Sequence, residues 1–256
     1  MSTSAPDAAP PKLLQVKGLS AFYGESRALH GVGFSVARGE VLSVVGANGA
    51  GKSTLLRAIV GMMNRGRAAH IEGTIELDGR RIDHLDTDAI VDLGVTMVPE
   101  GRRLFTRMSV EENLLCGAYL PRCRATIRDR LEEIFDIFPR LADRRDQNVS
   151  QMSGGEQQMV AIGRALMSSP QLILFDELSL GLAPIVVDQI YERVRAVNKL
   201  GVTCVVIEQD MKRAMAVASH VFVMLEGRIV LDGRPEDLGV DRVSAAYFGT
   251  GAGAHA

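Results

Sequence analysis

The sequence contains no uninterrupted apolar stretch as long as the roughly 18 residues of a membrane-spanning helix. It also has no excess of charge of one sign, because 29 basic and 31 acidic residues give a formal net charge of −2. The first absence argues against a membrane span, and the second removes the usual electrostatic indication of a nucleic-acid partner. The remaining composition, 46% hydrophobic over 256 residues, is that of a globular chain able to bury a sizeable core.

Cysteine is scarce, and Cys116, Cys123 and Cys204 form neither a CxxC pair nor a metal-ligand spacing with the five histidines. Such scattered thiols are typical of a reducing compartment, so we expect a cytoplasmic protein.

Residues 1–11 lack a basic start and an apolar segment, and we therefore expect a disordered leader rather than a signal peptide. Residues 249–256 are small and are predicted to form a disordered tail.

Three short apolar runs, at residues 41–45, 172–175 and 202–207, have the length and β-branched content of strands buried on both faces. Segments with apolar residues at helical spacing alternate with these runs. This alternation predicts a mostly parallel sheet with helices on its faces. The turn dipeptides Asp78-Gly79 and Glu226-Gly227 predict two hairpins, which we expect to add an antiparallel layer at one side.

Between about residues 103 and 151 charges become dense and apolar residues recur at helical spacing, which predicts a helical insert. We therefore expect one folded domain over residues 12–248. Its core is predicted at residues 12–102 and 152–248, with a helical subdomain at about 103–151.

A glycine-rich segment lies between the first apolar strand and a helix predicted at residues 54–63, and it fits the pattern GxxxxGK[ST]. Its residues are Gly46, Ala47, Asn48, Gly49, Ala50, Gly51, Lys52 and Ser53. Glycines let the backbone wind around a phosphate with its N–H groups pointing inward, and the helix N-terminus adds partial positive charge. We expect Lys52 to reach the β- and γ-phosphates, Ser53 to hold Mg²⁺ and Thr54 to contact the α-phosphate region.

Two adjacent carboxylates, Asp176 and Glu177, follow the apolar strand at residues 172–175. Asp176 at the strand end is well placed to bind the Mg²⁺ shell through water. Glu177 would point elsewhere, towards an attacking water, as a general base must. On its own such a pair is usually part of a solvated loop, but together with the phosphate loop it predicts a catalytic site.

The segment Met152-Ser153-Gly154-Gly155-Glu156 opens a helix, with Ser153 as N-cap and Glu156 completing a capping box. In this position the sequence resembles the ATP-binding cassette (ABC) family, whose signature is LSGGQ. The resemblance extends from Leu13 to about Phe248. It implies an α/β P-loop NTPase (RecA-like) core with a mostly parallel sheet, an antiparallel β subdomain and an inserted α-helical subdomain.

The resemblance also implies a shared site. In that family the signature of one subunit closes on the nucleotide bound to the phosphate loop of its partner, so that two ATP molecules lie between head-to-tail subunits. Ser153, Gly154, Gly155 and Glu156 would then act across the interface, and Tyr23 matches the aromatic residue that stacks on adenine.

Several residues differ from the general family pattern, and together they indicate one group within the family. Glu100 occupies the position of the usual Gln and could meet Mg²⁺ or its water, while Gln209 replaces the switch histidine and can hydrogen-bond a γ-phosphate without carrying charge. The loop after Glu177 has Leu178 for the usual Pro and Ala183 for the usual Asp. Most of these features resemble the LivF group of ATPase subunits in branched-chain amino acid importers, and Leu178 is the main exception.

This resemblance implies an ATPase that powers an importer from the cytoplasmic face of the membrane. It also implies a second ABC ATPase subunit, for which the resemblance favours a non-identical chain over a second copy of this one, together with permease subunits and, indirectly, a solute-binding protein. An importer of urea, short amides or another small solute is one alternative. A non-transport cassette ATPase acting on nucleic acid or ribosomes is another, although the chain has one cassette, a short insert and no basic excess. A third is an ATP-gated binding module with little turnover.

Overall fold

The computed structural model describes residues 11–63, 66 and 68–249. The predicted leader and tail lie outside these residues, apart from Pro11 and Gly249. Within the described residues, ten strands form two sheets. The strands are β1 (Lys12–Tyr23), β2 (Ser26–Ala37), β3 (Val41–Val45), β4 (Ala69–Leu77), β5 (Arg80–Arg81), β6 (Val95–Val98), β7 (Leu172–Asp176), β8 (Thr203–Glu208), β9 (His220–Leu225) and β10 (Arg228–Gly233).

The helices occupy the faces and one side of the sheets, and two short 3-10 segments at Pro121–Thr126 and Val149–Gln151 accompany them. The helices are α1 (Lys52–Ile59), α2 (Thr87–Asp92), α3 (Val110–Cys116), α4 (Ile127–Ile137), α5 (Pro139–Ala142), α6 (Gly154–Leu166), α7 (Pro184–Lys199), α8 (Met211–Val217), α9 (Pro235–Leu238) and α10 (Val240–Tyr247). Helix α1 is displaced from the predicted residues 54–63. It starts two residues earlier and ends at Ile59, because Gly61 leaves the helical region with φ of 73°.

The larger sheet has the strand order β10-β9-β3-β8-β7-β6. All neighbours in it are parallel except β9 and β10. Strands β3, β7 and β8 are buried along their whole length, as their apolar runs predict. In β7, Leu172 and Leu174 face one hydrophobic core, and Ile173 and Phe175 face the other. The period-two alternation of a strand therefore supplies both faces of the sheet.

The smaller sheet is antiparallel, in the order β2-β1-β4-β5. Its hairpin turns at Asp78-Gly79, as predicted. The second hairpin turns at Glu226-Gly227, also as predicted. It does not join the antiparallel sheet, because β9 pairs in parallel with β3 and the β9–β10 hairpin extends the larger sheet. Both turns have the positive φ values of tight hairpins, so local sequence fixes the turn but long-range pairing decides which sheet receives it.

The region between β6 and β7 is helical, with α3 and α5 packed against α6 and α4 packed against α5 and α7. The fold is therefore the α/β architecture expected from the sequence, with an antiparallel sheet and an α-helical insertion. The paired register of Val45 with Glu208 and of Asp176 with Ile207 places the carboxyl ends of β3, β7 and β8 at one edge. Ligands of open α/β sheets bind outside this edge.

Candidate nucleotide-binding site

The glycine loop joins β3 to α1 at this edge. Gly49 and Gly51 have φ values of 83° and 97°, a conformation that residues with a side chain rarely adopt. A Cβ on Gly51 would also lie 2.9 Å from the Leu29 side chain and 3.0 Å from the Ala28 carbonyl oxygen. No side chain caps the N-terminus of α1, so its first N–H groups remain available to an anion.

Lys52 is only 4% exposed. Its Nζ donates to the Gly46 carbonyl at 2.8 Å and the Ala47 carbonyl at 3.1 Å, and lies 3.6 Å from Glu177 Oε1. A buried ammonium requires such partners, because desolvation of an unpaired charge is costly. The ammonium is therefore held above the loop, where it would meet phosphate oxygens.

The Ser53 hydroxyl donates to Asp176 Oδ1 at 3.0 Å. Asp176 is 3% exposed, and burial raises the pKa of its carboxyl. The Ser53 bond opposes this rise, while the nearby charges of Glu177 and Glu100 add to it. A hydroxyl and a desolvated carboxylate at this spacing are oxygen donors of the kind that Mg²⁺ prefers, and a cation beside Asp176 would relieve its desolvation. The residues present therefore fit a magnesium ion.

Glu177 has φ of 52°, an uncommon left-handed conformation for a residue other than glycine. Its Oε2 accepts a 2.7 Å hydrogen bond from Gln209 Nε2, and its other oxygen faces Lys52. The following residue, Leu178, is buried in the core on the helical side of the sheet. The position at which the family pattern has Pro is therefore a core position in this chain.

A cavity of about 430 Å³ opens at the loop. Its lining residues are Ala28, Asn48, Gly49, Gly51, Lys52, Ser53, Thr54, Glu100, Glu177, Leu180 and Gln209. The structure thus brings together residues that the sequence predicts from four separate segments, with Glu100 exposed at the rim. Of the other residues predicted in the glycine loop, Gly46 and Ala47 supply the carbonyl groups that hold Lys52, and the Ala50 N–H donates to the Ala47 carbonyl.

Tyr23 ends β1 and is 40% exposed. Its hydroxyl lies 3.5 Å from Thr54 Oγ1, at the flank of the glycine loop. The ring is accessible beside the first turn of α1, and its stacking on adenine stays a prediction.

The residues from Ser153 to Glu156 do not line this cavity. The Ser153 hydroxyl accepts from the Glu156 N–H at 3.4 Å, and Glu156 Oε2 accepts from the Ser153 N–H at 2.9 Å, which forms the predicted capping box of α6. Burial pushes the pKa of Glu156 up, but the bonds from Ser153 and the charge of Arg144 outweigh it, so that pKa is lowered. Glu156 is therefore an ionised carboxylate engaged within its own chain.

Two arginines that the sequence did not mark as site residues tie α6 to the segment after Glu100. Arg164 donates to the Arg103 carbonyl at 2.8 Å and the Arg102 carbonyl at 3.0 Å. Arg102 in turn donates to Gln157 Oε1 at 3.0 Å. Arg102 and Arg103 both have positive φ values, so these bonds stabilise an uncommon backbone conformation. A run of two arginines gives no sign of this geometry in the sequence.

A glycine loop with free helical amides, at the carboxyl edge of a mostly parallel sheet, defines a P-loop nucleotide-binding fold. Glu177 beside Lys52 adds a carboxylate where a terminal phosphate would lie. These features describe a nucleoside triphosphatase.

Comparison with known proteins narrows this class. The sequence model of the ABC transporter family matches residues 29–179. The chain is 42% identical over 238 residues to the high-affinity branched-chain amino acid transport ATP-binding protein BraG of Pseudomonas aeruginosa, covering 93% of this chain and 100% of that protein. It is 30% identical to a probable branched-chain amino acid transport ATP-binding protein, LivF, of Archaeoglobus fulgidus, covering 88% of this chain and 94% of that protein.

Among solved structures, an ATP-binding cassette of an ABC transporter in its ADP conformation superposes with a TM-score of 0.78 at 27% identity. The match covers 91% of this chain and 94% of that one. The chain therefore belongs to the ABC transporter family, and it is an ATPase of that family.

Proposed function

We propose that this chain is the ATP-hydrolysing subunit of an importer for branched-chain amino acids. The observation that carries the proposal is the placement of Glu177 between Lys52 and Gln209 in the nucleotide cavity. The choice of cargo rests on the similarity to BraG and on the segments around Glu100, Gln209 and Ala183. Urea, short amides and other small solutes are the alternatives, since an ATPase subunit does not touch the cargo.

In this proposal the N–H groups of the glycine loop and α1 bind the phosphates, and Lys52 binds the β- and γ-phosphate oxygens. Ser53 and Asp176 would hold Mg²⁺, directly or through water, with Glu100 at the rim. The ion, when bound, supplies neutralisation of charge on the phosphate oxygens. Glu177 orients the attacking water and accepts its proton.

Gln209 fixes the Glu177 carboxylate in the structure and would also reach the γ-phosphate. Because Gln cannot carry charge, its contribution is limited to hydrogen bonding. Hydrolysis is therefore assigned to Glu177 as base rather than to a charged switch residue.

The proposed active form contains two cassettes. Residues 153–156 lie at the start of α6 and do not line the cavity of their own chain, which supports a role opposite the nucleotide of a partner subunit. That partner is proposed to be a second ABC ATPase subunit, not identical to this chain.

A second groove supports docking of a permease helix. It is lined by residues of α3, α6 and the segment after Glu100, including the exposed rings of Phe105 and Tyr119. Arg164 also lines the groove, with its guanidinium 5.8 Å from the centre of the Phe105 ring. In the part of the chain that the structure describes, no helix is long and apolar enough to cross a membrane. We propose that the chain is held at the cytoplasmic face through this groove.

The catalytic assignment is tested by phosphate release from the purified chain and from Glu177→Gln. We expect at least a ~100-fold loss of turnover with ATP binding retained, because only the base is removed. Equal rates for the two proteins would support an ATP-gated binding module instead. The cargo is tested separately by uptake of radiolabelled leucine in a deletion strain, with labelled urea as the alternative substrate.

A further inference from the structure

Glu208 is a buried carboxylate that the proposed mechanism leaves unused. It is the last residue of β8 and is 1% exposed. In the described residues no basic side chain forms an ion pair with it. A desolvated carboxylate needs hydrogen-bond donors. The donors to Glu208 show which segment of the chain it fixes in place.

Ser179, two residues after the proposed base, supplies two donors to Glu208. The Ser179 N–H donates to Glu208 Oε1 at 3.2 Å, and the Ser179 hydroxyl donates to Oε2 at 2.7 Å. Tyr191 of α7 is close to Glu208 as well. Burial, followed by the charge of Glu208, raises the pKa of the Tyr191 hydroxyl. Glu208 therefore connects the end of β8 to the loop after β7.

Three successive residues, the last two of β8 and the one after it, form hydrogen bonds with the segment that contains Glu177. The Ile207 carbonyl accepts from the Glu177 N–H at 3.1 Å, Glu208 accepts from Ser179, and Gln209 donates to the Glu177 carboxylate. Because Glu177 has a positive φ, its backbone conformation depends on such surrounding bonds.

We propose that Glu208 is a positioning residue for ATP hydrolysis, acting through Ser179 to fix the direction of the Glu177 carboxylate. The inference rests on the proposed function, because it assumes that Glu177 is the base. Glu208 touches neither nucleotide nor water in this assignment. Its contribution is the rigidity of residues 177–179, which Leu178 supports by its burial.

The test compares ATP turnover in Ser179→Ala and Glu208→Gln. We expect kcat to fall about tenfold in each, because a small misplacement of a catalytic group is sufficient for such a loss. The KM for ATP should change less than twofold, since the phosphate loop is untouched. Ser179→Thr keeps both donors and should restore most of the wild-type kcat. The double variant should lose little more than either single one, because both remove the same contact.

The matched control is Thr203→Val at the opposite end of β8. Thr203 is also buried, and its hydroxyl oxygen accepts a 2.9 Å bond from the Gly39 N–H. This variant should lower the melting temperature while leaving kcat unchanged. A kcat in Ser179→Ala equal to that of Thr203→Val would overturn the proposal, whether or not Glu208→Gln folds. If Glu177→Gln retains wild-type turnover, the assignment of the base fails instead, so the two failures are distinguishable.

Discussion

At the scale of single residues, the buried charges of the site differ in how well they are paired. Lys52 is held by two carbonyl groups and Glu177. Among the residues that the structure describes, Ser53 is the one whose side chain hydrogen-bonds Asp176. The ionised form of Asp176 is therefore poorly stabilised without a cation, and burial raises the pKa of its carboxyl.

This imbalance predicts that Asp176→Asn stabilises the nucleotide-free protein at neutral pH. A carboxyl with a raised folded pKa contributes stability that is fully present below its unfolded pKa and is lost as the pH rises through the folded pKa. The Asn side chain avoids that loss and still accepts from Ser53. We expect a melting temperature about 2–4 °C higher at pH 7.5, which corresponds to roughly 1 kcal/mol in a chain of this size.

The control for this prediction is the same measurement at pH 4, where the difference should shrink because the wild-type Asp176 takes up its proton. A variant less stable than the wild type at pH 7.5 would contradict the account. Magnesium-dependent ATP hydrolysis should be lost in the variant at either pH.

At the scale of elements, the helix α6 has two tasks that can be separated. Its capping box stabilises the helix, and its first residues are proposed to face a partner nucleotide. The chain offers a matched case, because Ser109 and Glu112 form the same capping box at the start of α3.

We predict that Ser153→Ala and Ser109→Ala each lower the free energy of unfolding by about 1 kcal/mol, the usual effect of losing an N-cap. Urea unfolding measures this effect. Only Ser153→Ala should also weaken ATP-dependent association with the partner cassette. Sedimentation velocity measures this association, with each variant combined with Glu177→Gln. Equal association in the two variants would argue against the role of residues 153–156 across the interface.

At the scale of the whole molecule, one chain supplies only part of the proposed closed site. The cavity is lined by the glycine loop, Glu100, Glu177 and Gln209, while residues 153–156 lie elsewhere. In the proposed function, a second cassette supplies the surfaces that close over the nucleotide.

This arrangement predicts that ATP, but not ADP, drives Glu177→Gln chains into a dimer with the proposed second ATPase subunit. The missing hydrolysis traps the closed state. Light scattering of each subunit alone and of the mixture tests the prediction, and Lys52→Ala is the control that should not associate. A dimer of this chain alone that is as stable as the mixed one would show that the partner is a second copy.

Much of the site could be predicted from the sequence, because local chemistry dictates it. The glycine loop, the two carboxylates at the end of β7 and the Ser153 cap depend on backbone conformation and on neighbours within a few residues. The contacts of Glu208 with Ser179 and of Arg164 with Arg102 join residues 29 and 62 positions apart, and no local pattern encodes them.

The sequence by itself determined the class of fold, the phosphate loop and the strand ends that carry Asp176 and Glu177, since these follow from hydrophobic periodicity and from residue types with one suitable chemistry. Only the tertiary structure decided that the β9–β10 hairpin extends the larger sheet and that Gln209 and Glu208 hold the loop of Glu177. The physical reason is that strand pairing and buried polar contacts depend on which distant segments the folded core brings together.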